Sequence, residues 1–209
     1  MNLPAKKTGR ATKSSNKQEQ ILAVATSCFL SHGYDGSSIS KMARASGISK
    51  ESVYRYFTSK QHLFKAVIDQ ELAQHHQEIT NLTADTDSTN VRESLLTIAE
   101  TLLSLLMSDR KQAVRRLIFN EIMRFPEIGR YYFKIGPELA YENLEKFFAS
   151  MQDKTEFSVA DLSRNFVALL LYDLMLQRSC SVRESPSADE IVELVQPIVA
   201  DFLKTFFKL

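Results

Sequence analysis

Apolar residues recur at helical spacing along most of the chain, and no segment shows the strict alternation of a half-buried strand. The first clear stripe predicts a helix over residues 17–32, and its inner positions are Ile21, Leu22, Ala25 and Phe29. Similar stripes predict further helices at 60–80, 90–107, 109–123, 158–178 and 187–206. Glycine and proline number only six and five, so few helices are interrupted. The pattern predicts an all-α fold of about nine helices.

The stretch 38–57 differs, because two short apolar stripes meet there at a glycine. Ala43 is small where two helices would cross, and Gly47 suits the positive φ at a helix end. Ser38 and Ser49 each stand one residue before a helix, where a hydroxyl accepts from free backbone N–H groups. The inward positions are Ile39, Met42, Ile48, Val53 and Tyr56. This spacing predicts a helix-turn-helix that places its second helix in the DNA major groove, with an ordinary helical hairpin as the alternative.

The charges are distributed unevenly along the chain. Residues 1–65 carry eleven Lys or Arg and three acids, a net charge of +8, whereas the remainder carries fifteen basic and twenty-two acidic residues, a net charge of −7. A basic N-terminal module on an acidic body fits a polyanion partner at one end only. After Ser49, the residues able to reach phosphates or base edges are Lys50, Ser52, Tyr54 and Arg55.

The bulk composition is that of an ordinary globular protein. The chain has 209 residues, 44% of them hydrophobic and 24% charged, which is enough for one or two small domains. Cys28 and Cys180 lie in apolar helical patterns, as expected of packing residues in a reduced protein. Since no signal peptide or membrane-spanning run is evident, we expect a cytoplasmic protein. Residues 1–16 are expected to be a disordered basic arm, which either lies along a phosphate backbone or a minor groove or is a solvated tail.

One part of the chain carries a specific set of motifs, at Phe29, 33–34, 37–39, 42–43, 45–49, 53–57, 59–60 and 63–64. With these motifs, about a quarter of the chain resembles the DNA-binding domain of the tetracycline-repressor-like (TetR) family of bacterial transcriptional regulators. The resemblance implies a helix-turn-helix DNA-binding domain at 17–65, with its motif at 38–57. It also implies a ligand-binding and dimerisation domain at 66–209.

The resemblance further implies roles for individual residues. The residues expected to contact double-stranded DNA are Ser38, Ser40, Ser49, Lys50, Glu51, Ser52, Tyr54, Arg55, Tyr56 and Lys60. Arg55 can grip guanine bidentately, whereas Lys50 acts as a point charge and Lys60 would hold a phosphate. Glu51 departs from the small residue often found at its position. It repels phosphate, so it either accepts from a cytosine amino group or points away, and we favour the second.

Two further expectations concern the body of the chain. Because proteins of this kind pair to read palindromic half-sites, a homodimer interface is expected on the last two helices, at Leu170, Leu174, Leu194, Ile198 and Phe202. A small, partly apolar effector is expected among the middle helices, lined by Met107, Phe119, Met123, Phe125, Tyr131, Tyr132, Phe133, Tyr141 and Phe166. For each of these apolar residues, plain burial in the monomer core is the alternative.

Together these features predict a ligand-responsive DNA-binding regulator, specifically a repressor that binds a palindromic operator as a dimer and that a small molecule releases. One alternative is a helical protein-interaction module that does not touch DNA. Another is a metal-dependent enzyme, since Glu71, His75 and Glu78 share a helix, although a solvated helix face explains them better. The sequence contains no HExxH, GxSxG, glycine-rich phosphate loop or paired Cys-x-x-Cys motif. We therefore expect neither enzymatic activity nor a cofactor.

Overall fold

The computed structural model describes residues 8–83 and 90–208, with side chains from residue 16 onward, and these residues form helices and no strand. The α-helices are α1 (Thr8–His32), α2 (Ile39–Ser46), α3 (Lys50–Tyr56), α4 (Lys60–Thr80), α5 (Val91–Met107), α6 (Asp109–Glu121), α7 (Pro126–Phe133), α8 (Leu139–Ala149), α9 (Val159–Ser179) and α10 (Ala188–Phe206). A π-helical turn, Lys134–Glu138, joins α7 to α8, and a 3-10 turn, Gln152–Lys154, follows α8. The all-α prediction is confirmed. None of the described helices has both the length and the apolarity needed to cross a membrane.

The first helix begins earlier than its apolar stripe predicts. α1 starts at Thr8, whereas the stripe indicated a start near residue 17. No proline follows Pro4 before the end of this helix, so the polar residues ahead of the stripe continue the helix without a break. The expected disordered arm at 1–16 is therefore wrong for residues 8–16, and residues 1–7 lie outside the described part of the chain.

Side-chain caps set the start of seven later helices. Each capping side chain accepts a hydrogen bond from the backbone N–H three residues on, which satisfies one of the free donors of the first helical turn. The capping residues are Ser38, Ser49, Ser59, Asn90, Ser108, Ser158 and Ser187. At α10 the Glu190 carboxylate also accepts from the Ser187 backbone N–H at 2.8 Å, which completes a capping box. The predicted starts of these helices are confirmed to within a residue.

Gly136 and Pro137 are adjacent in the sequence, and such a pair predicts a break between two helices, but no break occurs there. The backbone instead passes through one π-helical turn from α7 directly into α8, and Pro137 lies inside that turn. The turn brings Gly136 close to α4, because a Cβ on Gly136 would lie 3.0 Å from Nε2 of His75. Gly136 therefore allows the π-helical turn to approach α4 closely, and it does not end a helix.

The chain divides into two compact units. The first contains the chain up to Glu71 together with Leu117–Ile128, and the second contains Leu72–Arg116 and Gly129–Leu209. The division expected between residues 65 and 66 therefore differs from the observed one in two ways. α4 stays with the first unit as far as Glu71, and a segment from the middle of the chain returns to that unit. A pattern read in chain order does not reveal such a returning segment.

Four aromatic rings form the centre of the first unit. Phe29 of α1 and Phe64 of α4 meet edge to face, with their ring centroids 5.2 Å apart. The ring of Tyr34 lies 6.0 Å from Phe29 and 5.0 Å from Phe64. Phe125, from the segment Leu117–Ile128, lies 5.4 Å from Tyr34 and 5.5 Å from Phe64. This cluster explains why the segment belongs to the first unit.

The second unit has its own hydrophobic core, in which α8 packs along α9 and α10 packs along α5. Phe148, Phe166 and Phe202 are fully buried, and their ring centroids lie 5.1 to 6.3 Å apart. α8, α9 and α10 thus each contribute one ring to the same core. These contacts hold α8 and α9, which line the cavity described below, against α10.

Candidate functional site

α2 and α3 form the predicted helix-turn-helix. Gly47 ends α2 with a φ of 65°, and the Ile48 N–H donates to the Ala43 carbonyl across the turn at 3.1 Å. The buried residues of the motif include Ile39, Met42, Ala43 and Val53, whereas Ile48 and Tyr56 are half-buried. The motif is therefore packed on one side, and its turn has the geometry that the glycine predicted.

Burial of Val53 leaves the opposite side of α3 in solvent. Among the residues expected to contact DNA, those that are exposed are Ser40, Ser49, Lys50, Glu51, Tyr54 and Arg55, and those that are half-buried are Ser38, Ser52, Tyr56 and Lys60. All ten are thus at least partly accessible to a partner. Their individual contacts with DNA stay predictions.

Two serines hold the N-terminal ends of these helices. The Ser38 hydroxyl accepts from the Lys41 N–H at 3.2 Å. The Ser49 hydroxyl accepts from the Ser52 N–H at 3.2 Å and donates to the Ser52 hydroxyl at 3.1 Å. Their predicted capping roles are confirmed. Because caps fix where α3 begins, they also fix the direction in which Lys50 leaves the helix.

Three of the predicted DNA-contacting cations lie over tyrosine rings. The distances to the ring centroid are 5.9 Å from Lys50 Nζ to Tyr54, 5.6 Å from Arg55 Cζ to Tyr56, and 4.2 Å from Lys60 Nζ to Tyr34. A cation within about 6 Å of a ring face is attracted by it. The rings therefore restrain these long side chains in the absence of DNA, which lowers the conformational entropy that binding would remove.

The segment Leu117–Ile128 makes a contact that the sequence reasoning missed. Arg124 donates to both carboxylate oxygens of Asp35, at 2.8 and 3.4 Å, and its guanidinium lies 5.1 Å from the Tyr34 ring centroid. The hydrogen bond from Arg124 lowers the pKa of Asp35. The two residues are 89 positions apart, so no local pattern connects them. The contact attaches the segment to the loop between α1 and α2.

The second unit contains a cavity of about 460 Å³, within the range of roughly 300–1,000 Å³ that is typical of small-molecule pockets. Residues of α4 to α9 and of the π-helical turn line it. Much of the lining is apolar and includes Ile79, Leu102, Leu106, Val167, Leu171 and Met175. The π-helical turn contributes Gly136 and Pro137, in keeping with the frequent occurrence of such turns at functional sites.

Two of the predicted effector-contacting residues, Tyr132 and Tyr141, line this cavity. The other seven do not line it: Met107, Phe125 and Phe166 are buried in hydrophobic cores, whereas Phe119, Met123, Tyr131 and Phe133 are exposed. The physical reason is helical phase, because successive residues point about 100° apart. Of three consecutive aromatic residues at 131–133, the middle one therefore reaches the cavity and its neighbours face solvent.

A buried histidine and a half-buried tyrosine, His75 and Tyr132, belong to the lining. His75 is 5% exposed, and its ring stacks on Tyr132 with centroids 6.3 Å apart. Burial, reinforced by the nearby charge of Lys111, lowers the pKa of His75 to about 4, so the ring is neutral at neutral pH. Its Nδ1 is buried and has no hydrogen-bond partner among the described residues. Burial also raises the pKa of Tyr132, so its hydroxyl stays protonated and can donate.

Arg115 supplies the charge of the cavity. Its Nη2 donates to the Ser179 hydroxyl at 2.7 Å and to Oε1 of Gln112 at 2.9 Å, and both of these partners are neutral. Within the described part of the chain, the residues lining the cavity include no Asp, Glu or Lys. The sequence did not place Arg115 or His75 in a cavity, because polar residues in an amphipathic helix ordinarily face solvent.

The predicted dimer residues on α9 and α10 lie mostly in the monomer core. Leu170, Leu174 and Phe202 are buried there and present no surface to a partner, and Leu194 and Ile198 are half-buried. The exposed apolar residues of the two helices are instead Leu169, Tyr172, Leu176 and Val192. α9 is apolar on more than one side, and the pattern therefore did not reveal which side faces the core.

The structure gives no support to the alternative metal site. His75 is buried against Tyr132, and the Glu78 carboxylate pairs with Lys111 at 2.5 Å. Among the residues that the structure describes, no group of three His, Cys, Asp or Glu side chains is placed to hold a metal ion. Cys28 and Cys180 are free thiols, and Cys180 is exposed, so it is not the packing residue that its apolar surroundings in the sequence suggested.

Two family models match the chain. Residues 21–67, which include the helix-turn-helix, match the model of bacterial regulatory proteins of the tetR family. Residues 93–207, more than half of the chain, match the model of the AefR-like transcriptional repressor C-terminal domain. The chain belongs to the TetR family. The resemblance carried by the sequence motifs is thereby confirmed, and TetR proteins are transcriptional regulators and not enzymes.

Named TetR-type repressors are similar in sequence to this chain. The transcriptional repressor AcnR of Corynebacterium glutamicum is 33% identical over 61 residues, which are 29% of this chain and 32% of AcnR. The chain thus spans about a third of the length of the Corynebacterium relatives it matches. The transcriptional repressor Rv1474c of Mycobacterium tuberculosis is 25% identical over 182 residues, which are 86% of this chain and 91% of that protein.

Solved TetR-family structures share the fold. A candidate TetR-family regulator from Mesorhizobium loti has a TM-score of 0.78 and 26% identity, over 93% of this chain and 98% of that one. A TetR regulator from Agrobacterium tumefaciens has a TM-score of 0.72 and 20% identity, over 92% of this chain and 95% of that one. At 20% identity the second likeness supports the fold alone.

Proposed function

We propose that this chain is a cytoplasmic, ligand-responsive transcriptional repressor that binds a palindromic DNA operator as a homodimer and is released by a small molecule. The observation that carries the proposal is the exposed side of α3, which presents Lys50, Tyr54 and Arg55 on a capped and one-sidedly buried helix. The net charge of +8 on residues 1–65 supports a polyanionic partner. The relatives named as transcriptional repressors support the same function.

The individual cations have different proposed roles. Arg55 is exposed on α3, and its planar fork suits the O6 and N7 acceptors of guanine. Lys60 lies at the start of α4, where an ammonium group serves a phosphate as a point charge. Glu51 is exposed beside them, and we propose that it points away from the phosphates. Arg55 thus contributes to sequence preference, and Lys60 contributes to affinity for any sequence.

A salt-titrated binding assay on the selected operator and on random duplexes tests these roles. We expect Arg55→Ala to reduce the ratio of the affinity for the operator to the affinity for random duplexes. We expect Lys60→Ala to weaken both alike and to reduce the salt slope by about 2, because each protomer of the dimer loses about one phosphate contact. Lys146 is exposed on α8 in the second unit, so Lys146→Ala is the matched control and should change neither quantity. If Arg55→Ala and Lys60→Ala both bind operator and random duplexes as the unsubstituted chain does, the proposal is contradicted.

We propose that the dimer forms through the exposed apolar side of α9 and α10, which carries Leu169, Tyr172, Leu176 and Val192. Large exposed apolar side chains are often covered by a partner, and three of these four lie on α9 within eight residues. Leu169→Lys should therefore convert the dimer to a monomer in light scattering at micromolar concentration. Phe133, with the same exposed fraction of 53%, lies on α7, so Phe133→Lys is the control and should stay dimeric. A monomeric parent would overturn this part of the proposal.

The cavity of the second unit is the proposed effector site, since it combines an apolar lining with a few polar groups. Release then follows from linkage: an effector that prefers one conformation of the dimer lowers the affinity for DNA by the same factor by which DNA lowers the affinity for the effector. α4 and α6 both continue from one compact unit into the other, so each can carry a conformational change along the chain. Failure of any small molecule to change operator affinity would contradict this step.

A further inference from the structure

Two cations of the first unit lie over the ring of Tyr34. The distances to its ring centroid are 4.2 Å from Lys60 Nζ and 5.1 Å from Arg124 Cζ. The ring is half-buried and meets Phe64 and Phe125 edge to face, with centroids 5.0 and 5.4 Å apart, so neighbouring rings hold it in place. Lys60, which is proposed to hold a DNA phosphate, therefore lies on a restrained ring.

Asp35 is the carboxylate beside this ring. The hydrogen bond from Arg124 lowers the pKa of Asp35, and the charges of Arg124 and Lys60 act in the same direction. The ammonium of Lys60 is thus close enough to act on this carboxylate. Among the described residues, however, the ion pair that Asp35 forms is with Arg124 and not with Lys60.

The two cations are unequal competitors for Asp35. Arg124 reaches both oxygens of Asp35, at 2.8 and 3.4 Å, with the fork that matches a carboxylate, whereas the ammonium of Lys60 is a point charge. Glu121 lies 3.5 Å from Arg124 and helps to hold the guanidinium. Without Arg124, the free carboxylate of Asp35 would attract Lys60, and a lysine that pairs with a carboxylate has less of its charge to give to a phosphate.

We infer that Arg124 is a positioning residue for DNA binding: it engages the carboxylate of Asp35 and thereby leaves Lys60 on Tyr34, available to a DNA phosphate. The inference rests on the proposed function, because it concerns the phosphate contact proposed for Lys60. Arg124 acts through Lys60 and does not itself touch DNA. The segment Leu117–Ile128, which returns to the first unit from the middle of the chain, thus contributes to DNA binding.

Binding of the full chain to a random DNA duplex, titrated with NaCl, tests the inference. Arg124→Gln should weaken the affinity roughly threefold to thirtyfold, which is the strength of about one exposed ion pair in each protomer of the proposed dimer. Arg124→Gln combined with Asp35→Asn should restore it, because no free carboxylate is left. This double variant also lacks the ion pair, so a general structural defect would persist in it.

Two single variants serve as controls for charge. Arg124→Lys keeps the charge and should bind more tightly than Arg124→Gln. Lys65→Gln removes the same charge and breaks the 2.5 Å ion pair with Glu127, which joins α4 to the same returning segment. It should weaken binding less than Arg124→Gln does. Equal losses in Lys65→Gln and Arg124→Gln, or no recovery in the double variant, would overturn the inference.

A background without the lysine separates positioning from net charge. If Arg124 acts through Lys60, Arg124→Gln should cause little further loss of affinity in Lys60→Ala, because the ammonium that it leaves available is gone. An effect of net charge alone is independent of Lys60 and would weaken both backgrounds alike. An equal loss in the two backgrounds would therefore contradict the inference.

The position of Lys60 can also be measured without DNA. Protons above an aromatic ring resonate upfield, so the ε-methylene of Lys60 should be shifted upfield by Tyr34 in spectra of lysine-labelled chain, with Lys60→Ala assigning the signal. The shift should diminish in Arg124→Gln and return when Asp35→Asn is added. An unchanged shift in Arg124→Gln would overturn the inference.

The inference and the proposed function fail in different ways. If Lys60→Ala weakens DNA binding and Arg124→Gln does not, the inference fails and the proposed function stands. If the unsubstituted chain binds no duplex, the proposed function fails, and the upfield shift still decides whether Arg124 positions Lys60.

Discussion

Acid should destabilise the second unit through His75, and the structure sets the size of the effect. The ring is 5% exposed, stacks on Tyr132 and lies so close to Gly136 that a Cβ there would be 3.0 Å from Nε2. Burial and the charge of Lys111 lower its pKa from 6.5 to about 4, while the charge of Glu78 opposes them. The unfolded chain therefore binds this proton more tightly than the folded chain does. Stability is complete above pH 6.5 and is lost as the pH falls toward 4.

The magnitude follows from the two pKa values. Each pKa unit corresponds to about 1.4 kcal/mol, so the fall from 6.5 to about 4 amounts to about 3 kcal/mol below pH 4. Between pH 7 and pH 5 the free energy of unfolding should decrease by about 2 kcal/mol because of His75 alone. That is a large fraction of the 5–15 kcal/mol by which proteins are typically stable.

Urea unfolding at several pH values measures this effect. Carboxylates also titrate in this window, so the informative quantity is the difference between the parent and His75→Leu, whose side chain does not titrate. We expect that difference to change by about 2 kcal/mol between pH 7 and pH 5. His76 is the next residue and is exposed, so His76→Gln is the control and should follow the parent. Parallel pH curves for the parent and His75→Leu would refute the reasoning.

Three further predictions concern helix ends and one ion pair. Gly47→Ala should lower the free energy of unfolding by about 1 kcal/mol, with Gly47→Asn less damaging, because φ is 65° and no atom crowds a Cβ there; equal stability of all three in urea would argue against a backbone origin. Ser187→Ala should cost about 1 kcal/mol by removing the capping box of α10, and an unchanged urea midpoint would show that the cap is dispensable. The coupling between Arg124 and Asp35 in a double-mutant cycle should shrink as NaCl is added, because the pair is exposed; coupling insensitive to salt would show that it is not electrostatic.

Local signals predicted the helices well. Ser38, Ser49 and Ser187 marked helix starts correctly, because a cap depends on a few neighbouring backbone groups and is visible in the sequence. Gly47 marked the turn of the helix-turn-helix for the same reason, since its positive φ is a local requirement. The DNA-binding motif was therefore predictable almost residue by residue.

The second unit was less predictable, because its site depends on helical phase and on distant contacts. On α9, Leu169 is exposed and Leu170 is buried, and both are leucine, so the sequence does not say which of them faces a partner. Three consecutive aromatic residues stand at 131–133, and only Tyr132 among them lines the cavity. The sequence does not indicate which of the three does so. Arg115 gave no signal at all, because a charged residue in an amphipathic helix is ordinarily read as solvated. Gly136 was read as a break, although its role is the close approach to His75.

Selection of binding sites from random double-stranded DNA by the 209-residue chain tests the central claim most directly. The claim is that α3 reads the major groove and that two copies act together. It predicts enrichment of a palindrome, with half-sites whose centres lie about one helical turn of 10 base pairs, or a multiple of that, apart. Enrichment of no sequence, or of a single site without a two-fold repeat, would contradict it.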